Sequence, residues 1–255
     1  MNTKLLVQLT KRDFKLRYLG SLMGSYWNLI HPLVMIAIYT LVFSKVMKSR
    51  LGVDSGPFSY SVYLCSGLIS WNLLSEIINR GVGTLLESAD FIKKLSFDPL
   101  ILFFSTAASS LVNFVIAFGI FLSFLIFIKP PPPSLLMVYF FVVFLLMVFS
   151  LGAAVGLGCL NVFMRDVQQM VSVTFQLWFW FTPIVYATSA LPGIATKLLL
   201  LNPAYAFIEP MHILLYEHRM PEAYFWALML GWVVAATLFA AVVYRKTISY
   251  VRDYL

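Results

Sequence analysis

The stretch from Leu135 to Phe149 is apolar at nearly every position, and that property narrows the fold more than any motif does. A strand of a membrane barrel would alternate apolar and polar side chains with period two. A surface helix in water would keep a polar face. A segment apolar around its whole circumference fits a helix enclosed by lipid or protein, with every backbone N–H and C=O satisfied inside the segment. Other stretches repeat the pattern. Of the 255 residues, 61% are hydrophobic and 11% charged, and the mean hydropathy is +0.87, which no water-soluble core could hide. These features describe an all-α integral membrane protein.

Crossing a hydrocarbon core of about 30 Å takes about 20 apolar residues. Six spans are expected, at 27–43, 60–78, 100–128, 135–160, 170–186 and 223–244, within a single transmembrane domain of residues 1–255. Residues 1–26 read as an amphipathic interface helix, with Leu5, Leu9, Leu16 and Met23 on one face and Lys4, Gln8, Lys11 and Lys15 on another. The N-terminus has no apolar core with a cleavage site and is expected to be retained. Pro130 to Pro133 form a stiff extended turn. Between the fifth and sixth spans the pattern breaks. Ile194 to Leu201 and Ala204 to Tyr216 are too short to cross, and Pro192, Pro203, Pro210 and Pro221 punctuate them. Residues 190–221 therefore predict a re-entrant helical pair sheltered by protein.

Lys and Arg number twelve on the side of the two termini and six on the other. The positive-inside bias puts both termini in the cytoplasm and the re-entrant pair on the outer face. Basic loops facing anionic lipid account for the net charge of +7, so no nucleic acid is implied.

Polar chemistry is sparse. Among the eleven acids only Glu76 falls inside a span, four residues before Arg80. That spacing allows an i,i+4 ion pair; the competing reading is a proton or ion site of a secondary transporter. A glycan or lipid enzyme would need clustered acids or a nucleophile beside a base, which the acid inventory does not offer. His31, His212 and His218 are not spaced as metal ligands, and Cys65 and Cys159 fall within spans. No Gly-Lys pair occurs, so the phosphate-cradling loop of a nucleotide hydrolase is absent, and ATP with its Mg would belong to a partner subunit. Aromatics crowd one end of the fifth span. Phe175, Trp178 and Thr182 share a stripe, with Tyr186 beyond them, while Phe179 and Phe181 turn toward lipid. Two readings stand for this cluster: an interfacial aromatic belt, or a path for sugars, whose C–H faces stack on flat rings.

The opening Arg12-Asp13-Phe14-Lys15-Leu16-Arg17-Tyr18, with Ser21, Gly24, Trp27 and Pro32 after it, resembles the N-terminal motif of ABC-2 type exporter permeases, particularly those moving lipid-linked polysaccharides such as O-antigen and teichoic acid. Asn161-Val162-Phe163-Met164-Arg165-Asp166, Thr182-Pro183-Ile184-Val185-Tyr186 and Asn202-Pro203 follow in the matching order. The similarity spans essentially the whole chain, although Asp98 intervenes where the family pattern would put Pro directly after Phe97. It implies a multi-pass permease of the cytoplasmic (inner) membrane that works as a homodimer with two nucleotide-binding ATPase subunits. It also implies lipid-linked glycan as cargo, with a drug or another amphipathic substrate as the alternative; on the sugar-path reading of the aromatic stripe, the substrate path runs through Phe175, Trp178, Thr182 and Tyr186. Docking of the ATPase would fall to Arg12, Lys15 and Arg17 together with Glu87, Asp90, Lys93 and Lys94 of the 79–99 connection, for which a plain solvated loop is the other reading. Pro203 and Pro210 would belong to an outer gate.

Overall fold

The computed structural model describes residues 3–17, 26–38, 58–94, 97–128, 130–188 and 191–254, and the regular elements among them are helices. Helix α1 is Thr3–Arg17 and α2 is Trp27–Ile38. The remainder of the expected first span, and Ser21, Met23 and Gly24, lie outside the described residues. Four described helices are long and apolar enough to cross a bilayer. They are α3 (Ser59–Glu87), α5 (Leu100–Ile128), α6 (Pro133–Phe163) and α10 (Ala223–Tyr254). Between them stand α4 (Ala89–Lys94) and α7 (Asp166–Phe181), and a pair of short helices precedes α10: α8 (Gly193–Leu199), then α9 (Pro203–His212) running into a π-helical turn at Ile213–Glu217.

Several bounds differ from those expected, each for a local reason. Helix α3 continues past Ile78 to Glu87, because Val82 and Leu85 still face the core at 0% exposure and the Thr84 hydroxyl folds back onto Arg80 O at 2.9 Å. The 79–99 connection is thus mostly helical, with Ala89–Lys94 forming a separate turn and a half. Helix α7 ends at Phe181 and not at Tyr186. Pro183 disfavours helical backbone at the residue before it, and Thr182 is extended with φ −107° and ψ 132°. Sixteen residues make a helix of about 24 Å, shorter than the hydrocarbon core. At the other turn, Pro132 is extended (φ −56°, ψ 139°) and Pro133 opens α6, where its missing N–H has no helical partner to lose.

Helix α3 is the interior element: 83% of its apolar window is buried, against 22% for α5 and 17% for α10. The outer two present their apolar sides to the surroundings, as helices bathed in lipid can. Glycines set how closely the long helices approach. A Cβ on Gly158 of α6 would lie 2.9 Å from Gly81 O of α3, and one on Gly81 would lie 2.5 Å from Ala154 Cβ. On the other side of α6, a Cβ on Gly152 would meet the Ala236 carbonyl of α10 at 2.9 Å, and one on Gly156 would penetrate the Phe239 ring at 2.2 Å. Gly152 and Gly156 form a small-xxx-small step, which lets backbones close where lipid supplies no hydrophobic drive. Cys65 and Cys159 are buried and unbridged.

Candidate functional site

Trp71, Ser75 and Asn79 recur every four residues on α3 and so lie in one stripe. Ser172, Phe175, Gln176 and Phe179 make the matching stripe on α7, and with Trp180 the two enclose an open groove of about 660 Å³. Rings and neutral hydroxyl or amide groups alternate along it, with no charged side chain among the described lining residues. Such a wall can stack on the apolar faces of a sugar and hydrogen-bond its hydroxyls.

Trp71 is the hub. Its ring stands 5.5 Å from Phe175, 5.8 Å from Trp178 and 5.7 Å from Phe179, mostly edge-on or tilted, the arrangements aromatic quadrupoles prefer. Of the residues expected on a substrate path, Phe175 lines the groove, whereas Trp178 packs behind Trp71 and Thr182 is fully buried with its hydroxyl on Trp178 O at 2.9 Å. Tyr186 is half-buried and donates to Trp180 O at 3.0 Å. Phe179 does not turn outward as expected: the edge of Trp71 draws it to the groove, which Trp180 also lines while 66% exposed, whereas Phe181, 70% exposed, faces outward as expected. Trp71, Ser75 and Asn79 carried no signal beyond their four-residue spacing on a helix that also holds Asn72, Glu76 and Arg80.

The non-helical strap after α7 is tied down from two sides. Tyr60 donates to Val185 O at 2.7 Å, Tyr63 donates to Tyr186 O at 3.0 Å, and Thr188 donates to Glu209 Oε1 at 3.0 Å. Pro203 occupies the first turn of α9 behind Asn202, whose side chain caps the helix. Pro210 sits inside α9, where it removes a backbone donor; the π-helical turn follows, and the chain reverses at His218 in left-handed conformation (φ 56°). Arg219 next to it hydrogen-bonds Glu217, which raises the guanidinium pKa further. His212 stacks on Tyr63 at 3.9 Å and lies 2.9 Å from Ser66 Oγ, directly over Gly67, so α9 is seated against α3.

At the far end of α3, α1 is held by Asp13. Arg80 Nη2 donates to both Asp13 carboxylate oxygens at 2.7 Å, while Arg80 and Glu76 stand 3.6 Å apart. The expected Glu76 to Arg80 pair is therefore present but secondary, and Glu76 also accepts from Asn113 Nδ2 at 2.9 Å. Arg12 lies 3.8 Å over the Phe91 ring of α4. Glu87, Asp90, Lys93 and Lys94 are exposed, and Lys15 and Arg17 belong to α1 with side chains outside the described residues. Asp98 caps α5 through Leu100 N at 3.0 Å and accepts the Tyr244 hydroxyl of α10. Because Asp13 and Arg80 are 28% and 29% exposed, their pairing contributes about 0.5–1 kcal/mol. Asp13→Arg or Arg80→Asp alone is expected to loosen α1, read as faster proteolysis near the N-terminus, and the double exchange is expected to restore protection.

The chain matches the ABC-2 type transporter family over residues 4–216. It is 29% identical over 221 residues to the O-antigen export system permease protein RfbA of Myxococcus xanthus, with 86% of this chain and 83% of that relative covered. A protein of the same description from Klebsiella pneumoniae is 28% identical over 206 residues, covering 80% and 77%. With a match across most of its length and four apolar helices of membrane-spanning size, this chain belongs to the ABC-2 type transporter family.

Proposed function

We propose that the chain is the permease subunit of an ATP-driven exporter that moves lipid-linked polysaccharide of the O-antigen type across the cytoplasmic (inner) membrane. The observation that carries this reading is the groove between α3 and α7, where four rings alternate with uncharged hydroxyls and amides. Charged cargo would find no counter-ion there, and a purely apolar cargo would leave the amides idle. A glycan uses both. The relatives described as O-antigen export permeases support the same cargo class. Ion-coupled transport is disfavoured, because Glu76 is engaged by Arg80 and Asn113 instead of facing an open path.

In this reading α2 and α7 complete six crossings, both termini are cytoplasmic, and α8 with α9 forms a re-entrant outer gate containing Pro203 and Pro210. Two copies of the chain join so that their grooves bound one conduit, since a single open groove cannot shield a polymer from lipid. The exposed Glu87 at the end of α3, Asp90, Lys93 and Lys94 of α4, and Arg12, Lys15 and Arg17 of α1 dock two ATPase subunits that hold ATP and Mg. Closure of those subunits shifts the permease toward its open form.

The test is reconstitution. Vesicles carrying the permease with its ATPase partner are expected to transfer lipid-linked glycan only when ATP is supplied on the ATPase side. Transfer by the permease alone, or by the complex without hydrolysable ATP, contradicts the reading.

A further inference from the structure

Asn202 makes more hydrogen bonds than a helix cap requires. Its Oδ1 accepts from Ala204 N at 3.0 Å and Tyr205 N at 3.5 Å, which is the capping role. The same oxygen accepts the indole N–H of Trp178 at 2.7 Å, the shortest of the three. Its Nδ2 donates to Thr182 Oγ1 at 3.1 Å and to Phe181 O at 3.3 Å. Every bond beyond the cap is thus directed at the end of α7. An amide has two donor hydrogens and two acceptor lone pairs, so this one is fully subscribed, and its acceptor is shared between competing donors. Trp178 in turn packs 5.8 Å from Trp71 and 5.2 Å from Phe175, and both of those rings wall the groove. One side chain therefore joins the ring cluster to the residue from which α9 starts.

We infer that Asn202 is a positioning residue that couples occupation of the groove to the position of α8 and α9. The inference rests on the reading of the groove as the cargo path. Cargo in the groove presses on the exposed edges of Trp71 and Phe175, which are only 6% and 8% exposed, and close-packed rings pass the shift to Trp178. The indole bond to Asn202 is then lost or re-aimed, while the Ala204 and Tyr205 bonds persist. Helix α9 stays capped and moves as a body, as packed elements with two discrete arrangements do. Only a side chain that caps and reaches α7 together can serve both ends, which serine cannot.

The experiment uses the assembled permease and ATPase complex in nanodiscs, with a spin label on Ile194→Cys in α8, a position 79% exposed. Native Cys65 and Cys159 are buried and stay unlabelled. Three variants are compared with this reference: Trp178→Phe, which keeps a ring but no N–H; Asn202→Ser, which keeps a capping oxygen too short to reach the indole; and the two combined. Each single change is expected to raise label mobility to a similar extent, and the combination to raise it no further. Lipid-linked glycan extracted from membranes of the native host is expected to move the label in the reference complex and in none of the variants, whose export falls at least fivefold. An unchanged label in Trp178→Phe, or additive effects in the combination, overturns the coupling, as does a reference complex that exports glycan with an unresponsive label. If Asn202→Ser fails to assemble, Trp178→Phe decides alone, because it leaves the cap intact. A reference complex that exports no glycan at all overturns the proposed function instead, and non-additivity of the two changes still reports on the latch.

Discussion

Replacing Gly152 with valine is expected to unseat α10 from α6 and cost about 1–3 kcal/mol of stability, at the upper end because the clash is with backbone. A Cβ at Gly152 would lie 2.9 Å from both the carbonyl carbon and oxygen of Ala236, and backbone cannot rotate away as the tip of a side chain can. The two helices would have to separate along their shared length, losing the dispersion contacts that hold helices together in lipid. Gly119→Ala on α5 is the control. No described atom lies within 4 Å of a Cβ there, so relief of glycine's helix penalty should leave stability unchanged or raise it by up to about 1 kcal/mol. Thermal unfolding of the detergent-solubilised proteins, with the monodisperse fraction, measures both. A Gly152→Val protein as stable as the unsubstituted chain would mean that α6 and α10 do not meet as described.

Trp71→Ala is expected to produce the largest functional loss. It deletes the ring that Phe175, Trp178 and Phe179 all contact, and truncating a buried Trp costs about 3–5 kcal/mol. It also removes part of the groove wall, so glycan export should fall at least tenfold even in the fraction that assembles. Trp71→Phe keeps a flat ring and should retain assembly with a smaller export defect. Comparing export per assembled complex separates the wall from the fold. Normal export by Trp71→Ala would remove the groove from the cargo path.

The aromatic end of α7 was visible in the sequence, but its facing was not. Helical spacing grouped Phe175 with Trp178 and left Phe179 on the lipid side, because a single helix read alone has no partner to define inside. Trp71, more than a hundred residues earlier in the chain, supplies that partner and reaches both Phe175 and Phe179. The short segment from Ala204 was legible because Pro203 punctuates the chain just before it, but the cap that Asn202 supplies was not read from the sequence. Nor was its bond to Trp178, because nothing in the neighbouring residues encodes a donor 24 positions away. Likewise the four-residue step from Glu76 to Arg80 pointed to an ion pair, yet Arg80 prefers Asp13, which the fold brings from 67 positions away.

Local composition alone determined that this chain is helical and belongs in a membrane: unbroken apolar runs leave the backbone no partner except itself, and prolines mark where helices stop. Tertiary structure decided which helix is central, which rings form one cluster and where charges find partners. Those outcomes depend on how closely two backbones can approach, and at Gly81, Gly152 and Gly158 that distance is set by an atom belonging to another helix.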